Sequence, residues 1–189
     1  GGDANNAIGG AGRSITITTT LTQGHVIKVL VGQLGGSVAF NTGWVAGGGG
    51  GSFIFNQTTN QLILASGGGG GAAQGSSSYP YTLNGGDASA YNSVNGNNGI
   101  SSPGSWCSVG NGGANGAGGT GGGGAGGAGW NSNGTVGSYG GGAGQMFSAG
   151  GLGGVNTAWS GSWTTSTLGG FGGGAGAGMH TNYEANAGG

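Results

Sequence analysis

Two runs of five consecutive glycines, residues 47–51 and 67–71, flank a short apolar segment and constrain this chain more than any other feature. Glycine loses more backbone entropy on folding than any other residue, so ten of them around one hairpin are costly unless they form structure that excludes side chains. Glycine supplies 59 of the 189 residues, yet there is no strict G-X-Y period and only 2 residues are proline, which excludes collagen. Disorder is disfavoured because the chain is only 3% charged and contains 5 Trp, 5 Tyr and 5 Phe.

The segment between the glycine runs has the pattern of a β-hairpin, with residues 57–60 as a four-residue loop, a common hairpin length. Antiparallel pairing about this loop places aromatic and aliphatic side chains opposite each other, and such pairs stabilise a sheet. It also brings the two glycine runs out of the sheet side by side. The predicted pairs are Phe55–Leu62, Ile54–Ile63 and Phe53–Leu64, followed by Gly50–Gly67 and Gly47–Gly70.

Residues 14–31 predict two further strands joined by a TQG turn. The sequence SITITTTL alternates aliphatic residues with threonine, the period of a half-buried strand, and HVIKVLVG is apolar on both faces, which favours a more central strand. A long polar and aromatic connection follows at 76–109, and glycine tracts separated by short inserts occupy 110–189. We therefore predict one glycine-rich domain, 1–189, with its β-hairpins in 14–66.

Glycine tracts without helical periodicity favour polyglycine II, an extended helix with three residues per turn and no internal hydrogen bonds. Its N–H and C=O groups point outward and must find partners on neighbouring strands when buried. Glycine allows those strands to approach closely, and alanine, the main substitute within the tracts, fits positions that tolerate one methyl group. The expected fold is mainly β: a small antiparallel β-sheet joined to a polyglycine II helix bundle, with no substantial α-helix.

The order of the predicted elements also resembles that of a known family: strand, turn, strand, GGGGG, hairpin, GGGGG. GRSITITTTLTQGHVIKVLVGQLGG, GGGGGSFIF and LILASGGGGGAA, with the later GWNSNGTVGSYGGGAG and LGGFGGGAGAG, resemble the glycine-rich extracellular domain of anaplastic lymphoma kinase and leukocyte tyrosine kinase. Similar domains occur in microbes. The resemblance implies hexagonally packed polyglycine II helices beside a β-sheet, an arrangement that also resembles the polyglycine II sandwich of T-even phage tail-tip adhesins. The chain departs from the receptors in having Cys107 as its single cysteine.

The composition argues against nucleic-acid binding, membrane spanning, nucleotide binding, metal binding and catalysis. The five charged residues are Arg13, Lys28, Asp3, Asp87 and Glu184, so no basic patch for nucleic acid exists, and no apolar run approaches the length of a membrane-spanning helix. The G-x-G-x-x-G match at 119–124 is expected by chance in so glycine-rich a chain and lacks the strand–turn–helix context of nucleotide-binding sites. His25 and His180 have no third ligand at metal spacing. We expect no catalytic residues, no metal and no cofactor, and hence no enzyme.

Two sets of residues are candidates for function. The sequons Asn56-Gln57-Thr58, at the hairpin tip, and Asn133-Gly134-Thr135, in an insert between tracts, predict N-glycosylation of Asn56 and Asn133 where exposure is expected, although chance explains the motifs about as well. Aromatic residues either cap the glycine bundle, which has no side chains of its own for a core, or form a contact surface for glycans or protein partners. The candidate contact aromatics are Tyr79, Tyr81, Tyr91, Trp106, Trp130, Trp159 and Trp163.

The two functional hypotheses belong to different classes. The near absence of charge favours an extracellular structural protein that binds other copies of itself in a surface filament or fibre, since uncharged surface is what subunits bury. The aromatic connection and the family resemblance favour a receptor-binding adhesin or ligand-binding module that contacts a cell-surface protein or glycan. Both place the chain outside the cell or on a cell or virion surface.

Overall fold

A computed structural model shows a mainly β protein and confirms the predicted fold class. It describes residues 1–40, 43–75, 82–88, 116–121, 124–138, 140–155, 168–179 and 185–186. Within these ranges the one helical element is a 3₁₀ turn, Phe147–Ala149. The strands are β1 (Ile27–Leu30), β2 (Ser37–Phe40), β3 (Gly43–Ala46), β4 (Ser52–Asn56), β5 (Gln61–Ser66), β6 (Ala73–Gln74), β7 (Thr82–Leu83), β8 (Gly178–Met179) and β9 (Ala185–Asn186).

The predicted hairpin is the β4–β5 pair, and β1 adds to its other side to give an antiparallel sheet in the order β1–β4–β5. The four-residue loop at 57–60 is confirmed, with Asn60 in the left-handed region (φ 56°) that asparagine tolerates. Phe55 pairs with Leu62 as predicted. The predicted pairs Ile54–Ile63 and Phe53–Leu64 are wrong, because a β-bulge after Ile54 shifts the register by one residue.

The bulge has a packing consequence on one face of this sheet. It places Phe53 opposite Ala65 instead of opposite a leucine. The small alanine leaves the phenyl ring of Phe53 free to pack against rings from the glycine-rich half of the chain. The bulge therefore accompanies the packing of the three-stranded sheet against the glycine bundle.

A second antiparallel sheet, in the order β2–β3–β6–β7, was not predicted, and β8 and β9 form a separate two-stranded pair. The structure therefore adds a second sheet to the small antiparallel sheet that was predicted. The four-stranded sheet surrounds a cluster of buried alanines, on which the side chain of Trp44 packs. The cluster consists of Ala4, Ala7, Ala46 and Ala72. Small side chains suffice here because neighbouring backbones fill the interior.

The prediction of a strand at 14–21 is also wrong. These residues are exposed, lie in no strand and make no backbone hydrogen bond with the described residues. The following turn is hydrogen-bonded from His25 N to Thr22 O and has positive φ only at Gly24, which is type II geometry. Type II turns splay the strands that they join instead of pairing them. At its other end the segment follows Arg13, whose N–H donates to Gly67 O just beyond β5. Residues 14–21 themselves bond to neither edge of the three-stranded sheet.

The glycine run 47–51 shows the hydrogen bonding of polyglycine II. Its five successive N–H groups donate to three neighbouring segments in rotation, and the same segment recurs every third residue, as a helix with three residues per turn requires. A β-strand would alternate between two directions. The bonds run from Gly47 to Gly36, Gly48 to Ala175, Gly49 to Gly69, Gly50 to Gln33 and Gly51 to Gly172, with N···O distances of 2.8–2.9 Å.

The same period of three recurs elsewhere in the bundle. Gly10 and Arg13 donate to the run 67–71, and Ala125 and Ala128 donate to carbonyls in 173–176. The glycine arms lie side by side as predicted, although the bond from Gly49 to Gly69 corresponds to the shifted register. Interstrand backbone bonds therefore tie the tracts together in three directions.

The predicted connection at 76–109 contains one described stretch, 82–88. It begins with β7 and continues as an extended segment beside residues 8–11, with Gly85 N donating to Ile8 O and Ala88 N to Ala11 O. This part of the connection therefore belongs to both the four-stranded sheet and the bundle. The rest of 76–109 lies outside the described residues.

Candidate interaction surfaces

Four aromatic rings join the three-stranded sheet to the glycine bundle. Phe53 and Phe55 of β4 present their rings to Trp130 and Phe147, which lie in two inserts between glycine tracts. The five ring-to-ring distances run from 4.9 to 5.9 Å, within the range of favourable aromatic pairs. Leu30 of β1 packs at the same boundary, since its Cδ1 lies 2.6 Å from where a Cβ on Gly151 would be. This aromatic cluster is a small hydrophobic core.

One of the predicted contact residues belongs to this cluster. Trp130 stacks inside it and is only partly exposed, a position that suits the capping role, and its role in partner contact stays a prediction. Its partners Phe53, Phe55 and Phe147 were not predicted as site residues. The alternation that puts Phe53 and Phe55 on one face of β4 could have indicated two of them. The other six candidate contact aromatics, Tyr79, Tyr81, Tyr91, Trp106, Trp159 and Trp163, lie outside the described residues.

The hairpin tip is closed by a polar network centred on Asn56. Its side chain is 6% exposed; Nδ2 donates to His25 Nδ1 at 2.9 Å, and Oδ1 accepts from Thr59 N. Thr58 Oγ1 accepts from Val26 N, which ties the tip to the start of β1. The exposure expected at Asn56 is therefore wrong. In the folded chain its Nδ2, the atom to which an N-glycan attaches, is bound to a histidine and shielded from solvent.

Asn133, the second sequon asparagine, is exposed. Its Oδ1 accepts from Met146 N at 2.8 Å, which orients the side chain, and its Nδ2 makes no hydrogen bond with the described residues. Thr135 of the same sequon accepts from Gly121 N through Oγ1. The asparagines of the two sequons therefore differ in solvent exposure: Asn56 is buried and Asn133 is exposed. Glycosylation of Asn133 remains a prediction.

The described acidic side chains act as acceptors for the bundle backbone. Asp3 Oδ1 accepts from Gly9 N and Asp87 Oδ1 accepts from Ala11 N, each at 2.7 Å. They take the place of carbonyl groups where no neighbouring tract supplies one. Within the described ranges no three His, Cys, Asp or Glu residues come together as a metal site. The carboxylates seen here therefore have structural partners.

The most extensive candidate surface is apolar and lies early in the chain. Seven of the 13 large hydrophobic side chains that are exposed in the described part of the chain fall between residues 15 and 34. Val29, Val31 and Leu34 are 63%, 67% and 73% exposed. Lys28 is the one charged residue between 14 and 34. We call this set the apolar belt; its members are Ile15, Ile17, Leu21, Val26, Val29, Val31 and Leu34.

Comparison of the chain with protein-family models, curated proteins and solved structures gives no significant match. The resemblance to the glycine-rich receptor domains and to the phage adhesins therefore stays a prediction. In the described portion of the chain, no helix has the length and apolarity needed to span a bilayer.

Proposed function

We propose that this chain is a non-enzymatic structural protein that self-assembles into an extracellular filament or fibre. The observation that carries the proposal is the apolar belt. The largest apolar patch on a typical soluble monomer measures about 300–600 Å² and is often functional, and the seven exposed belt side chains together reach this size. The belt is also almost uncharged, so copies of the chain have little electrostatic repulsion to overcome on association.

The interior of the bundle supports the same role. Hydrogen bonds in three directions make each tract part of a rigid block, a property suited to a building unit. The described carboxylates accept hydrogen bonds from backbone N–H groups of the bundle, which is a structural role. Trp130 packs against Phe55 and Phe147, as expected of an aromatic residue that caps the bundle.

Sedimentation velocity over a concentration series tests the proposal. We expect large assemblies at tens of micromolar, visible as regular polymers by negative-stain electron microscopy. Raising the salt from about 0.01 to about 1 M shortens the Debye length from about 30 to about 3 Å, and it should change the assembly little because the chain has few charges to screen. A stable monomer at these concentrations refutes the structural role and leaves the adhesin or ligand-binding module as the better account.

A further inference from the structure

Residues 14–21 have the sequence of a β-strand but pair with no strand in the described part of the chain. The sequence SITITTTL has the β-branched, alternating pattern of a strand, yet it makes no backbone hydrogen bond with any described residue. Its apolar members Ile15, Ile17 and Leu21 share one parity, so in extended conformation they project from one face, and each is exposed. A segment with strong strand propensity and unsatisfied N–H and C=O groups is a template for pairing with another chain.

The sheet β1–β4–β5 offers a matching free edge. β1 pairs with β4 on one side, and no described strand lies on its other side. Val29 is exposed on this edge strand, and Val26 and Val31 adjoin it. The opposite edge, β5, is already approached by the chain's own Arg13, which bonds to Gly67 and accepts a hydrogen bond from the Ser66 hydroxyl. Within the part of the chain that the structure describes, the β1 edge is therefore open to a new strand.

From these two features, and resting on the proposed function, we infer that residues 14–21 of one copy add as a fourth strand to the β1 edge of the next copy. The added strand satisfies its own backbone groups and places its Ile and Leu side chains beside the exposed valines of the acceptor. Addition of an extended segment to a sheet edge is an established mode of chain recognition. Because donor and acceptor are different surfaces, each added copy leaves one of each free, and growth continues without closing.

The apolar belt sets the size of such a contact. A fully exposed Val, Leu or Ile side chain presents on the order of 90 Å² of apolar surface. The seven belt residues are 43–73% exposed, so together they carry about 350 Å² per copy. Each contact joins the donor residues of one copy to the acceptor residues of the next, so it covers one belt, and an interface that is about 60% apolar then buries about 600 Å² in total. This is below the about 1,200 Å² of specific, stable interfaces, so the backbone hydrogen bonds of the added strand must supply much of the stability of the contact.

The experiment compares a donor variant and an acceptor variant with matched controls. Thr18→Pro removes an N–H that makes no backbone hydrogen bond with the described residues, and it blocks strand addition. Val29→Lys places a charge on the acceptor edge. Both should raise the critical concentration for assembly at least tenfold, measured by sedimentation. Thr18→Ala, and Val136→Lys at a side chain that is 71% exposed outside the belt, should leave it within twofold.

A mixture of the two variants gives the decisive result. The Thr18→Pro copy retains an acceptor edge and the Val29→Lys copy retains a donor strand, so the mixture should form one-to-one dimers that do not grow. Circular dichroism and melting of dilute samples establish that each variant is folded; Val31→Lys replaces Val29→Lys if the latter is not. If wild-type chains assemble and both variants assemble equally well, this interface is wrong while the filament stands. A monomeric wild type refutes both.

Discussion

Substitution of Gly69 by alanine tests whether the bundle depends on backbone contact. Gly69 is buried, and a Cβ there would lie 2.1 Å from Gly10 O and 2.3 Å from Gly10 C. Ordinary contacts of a Cβ begin at about 3.4 Å, so the two backbones must separate by about 1 Å or more. No flexible side chain is available to move instead. The separation strains or breaks the bonds that flank this contact, Gly49 N to Gly69 O and Gly10 N to Gly70 O, each 2.8 Å long.

The magnitude follows from those bonds. A buried donor or acceptor that loses its partner costs about 1–3 kcal/mol, so two broken bonds cost about 2–6 kcal/mol. Replacing glycine by alanine returns about 0.4–1 kcal/mol, because the unfolded chain has fewer conformations to lose. We expect a net loss of about 1–5 kcal/mol in the free energy of unfolding. A loss of 1 kcal/mol lowers Tm by about 2–4 °C at this chain length, so Gly69→Ala should lower Tm by about 2–20 °C.

Gly67→Ala is the matched control in the same tract. Gly67 is exposed, and the nearest atom to a Cβ there is Ala88 Cβ at 3.5 Å, an ordinary contact. We expect an unchanged or slightly raised Tm. The assay is thermal unfolding followed by circular dichroism, at one protein concentration for all variants. Equal melting temperatures for the two alanine variants would show that close backbone packing does not stabilise this bundle.

Three further outcomes are expected. Phe147→Ala should lower the free energy of unfolding by about 2–4 kcal/mol, since it opens the aromatic cluster, and should shift tryptophan fluorescence to the red; an unchanged spectrum contradicts the cluster. Asp87→Ala should cost about 0.5–1.5 kcal/mol in a denaturant titration, because Ala11 N exchanges its carboxylate acceptor for water, whereas Asp87→Asn, which keeps an oxygen, should cost less. Refolded chain exposed to an oligosaccharyltransferase should carry glycan at Asn133 and not at Asn56; modification of Asn56 detected by mass spectrometry contradicts the closed hairpin tip.

Local pattern was enough to predict part of this architecture. The four-residue loop, the Phe55–Leu62 pair and the side-by-side glycine arms follow from spacing within 47–71, and the period-three bonding follows from what glycine alone permits. The bulge after Ile54 was not predictable, because packing against Trp130 and Phe147, which lie 76 and 93 residues further along the chain, accompanies it.

Residues 14–21 show the opposite case, in which a strong local pattern gave a wrong strand. Two influences outside the segment override its propensity: the type II turn at Gly24 and the bond that holds Arg13 at Gly67. The closing of the hairpin tip over Asn56 was missed for a similar reason, since its histidine partner lies 31 residues away in sequence. Short strands such as β2 and β3 were missed because four residues carry little periodicity.

The scarcity of large buried side chains gives this fold an unusual dependence on temperature. Among the described residues Val45 is the largest side chain that is fully removed from solvent, and most of the other buried hydrophobic residues are alanines. Unfolding therefore exposes mainly peptide groups, whose hydration lowers the heat capacity, and little of the apolar surface that raises it. The heat-capacity increment per residue should fall below the about 12–15 cal/mol/K of ordinary domains. A small increment flattens the curve of stability against temperature. The free energy of unfolding of a bundle held together by its backbone should therefore change little between low and high temperature.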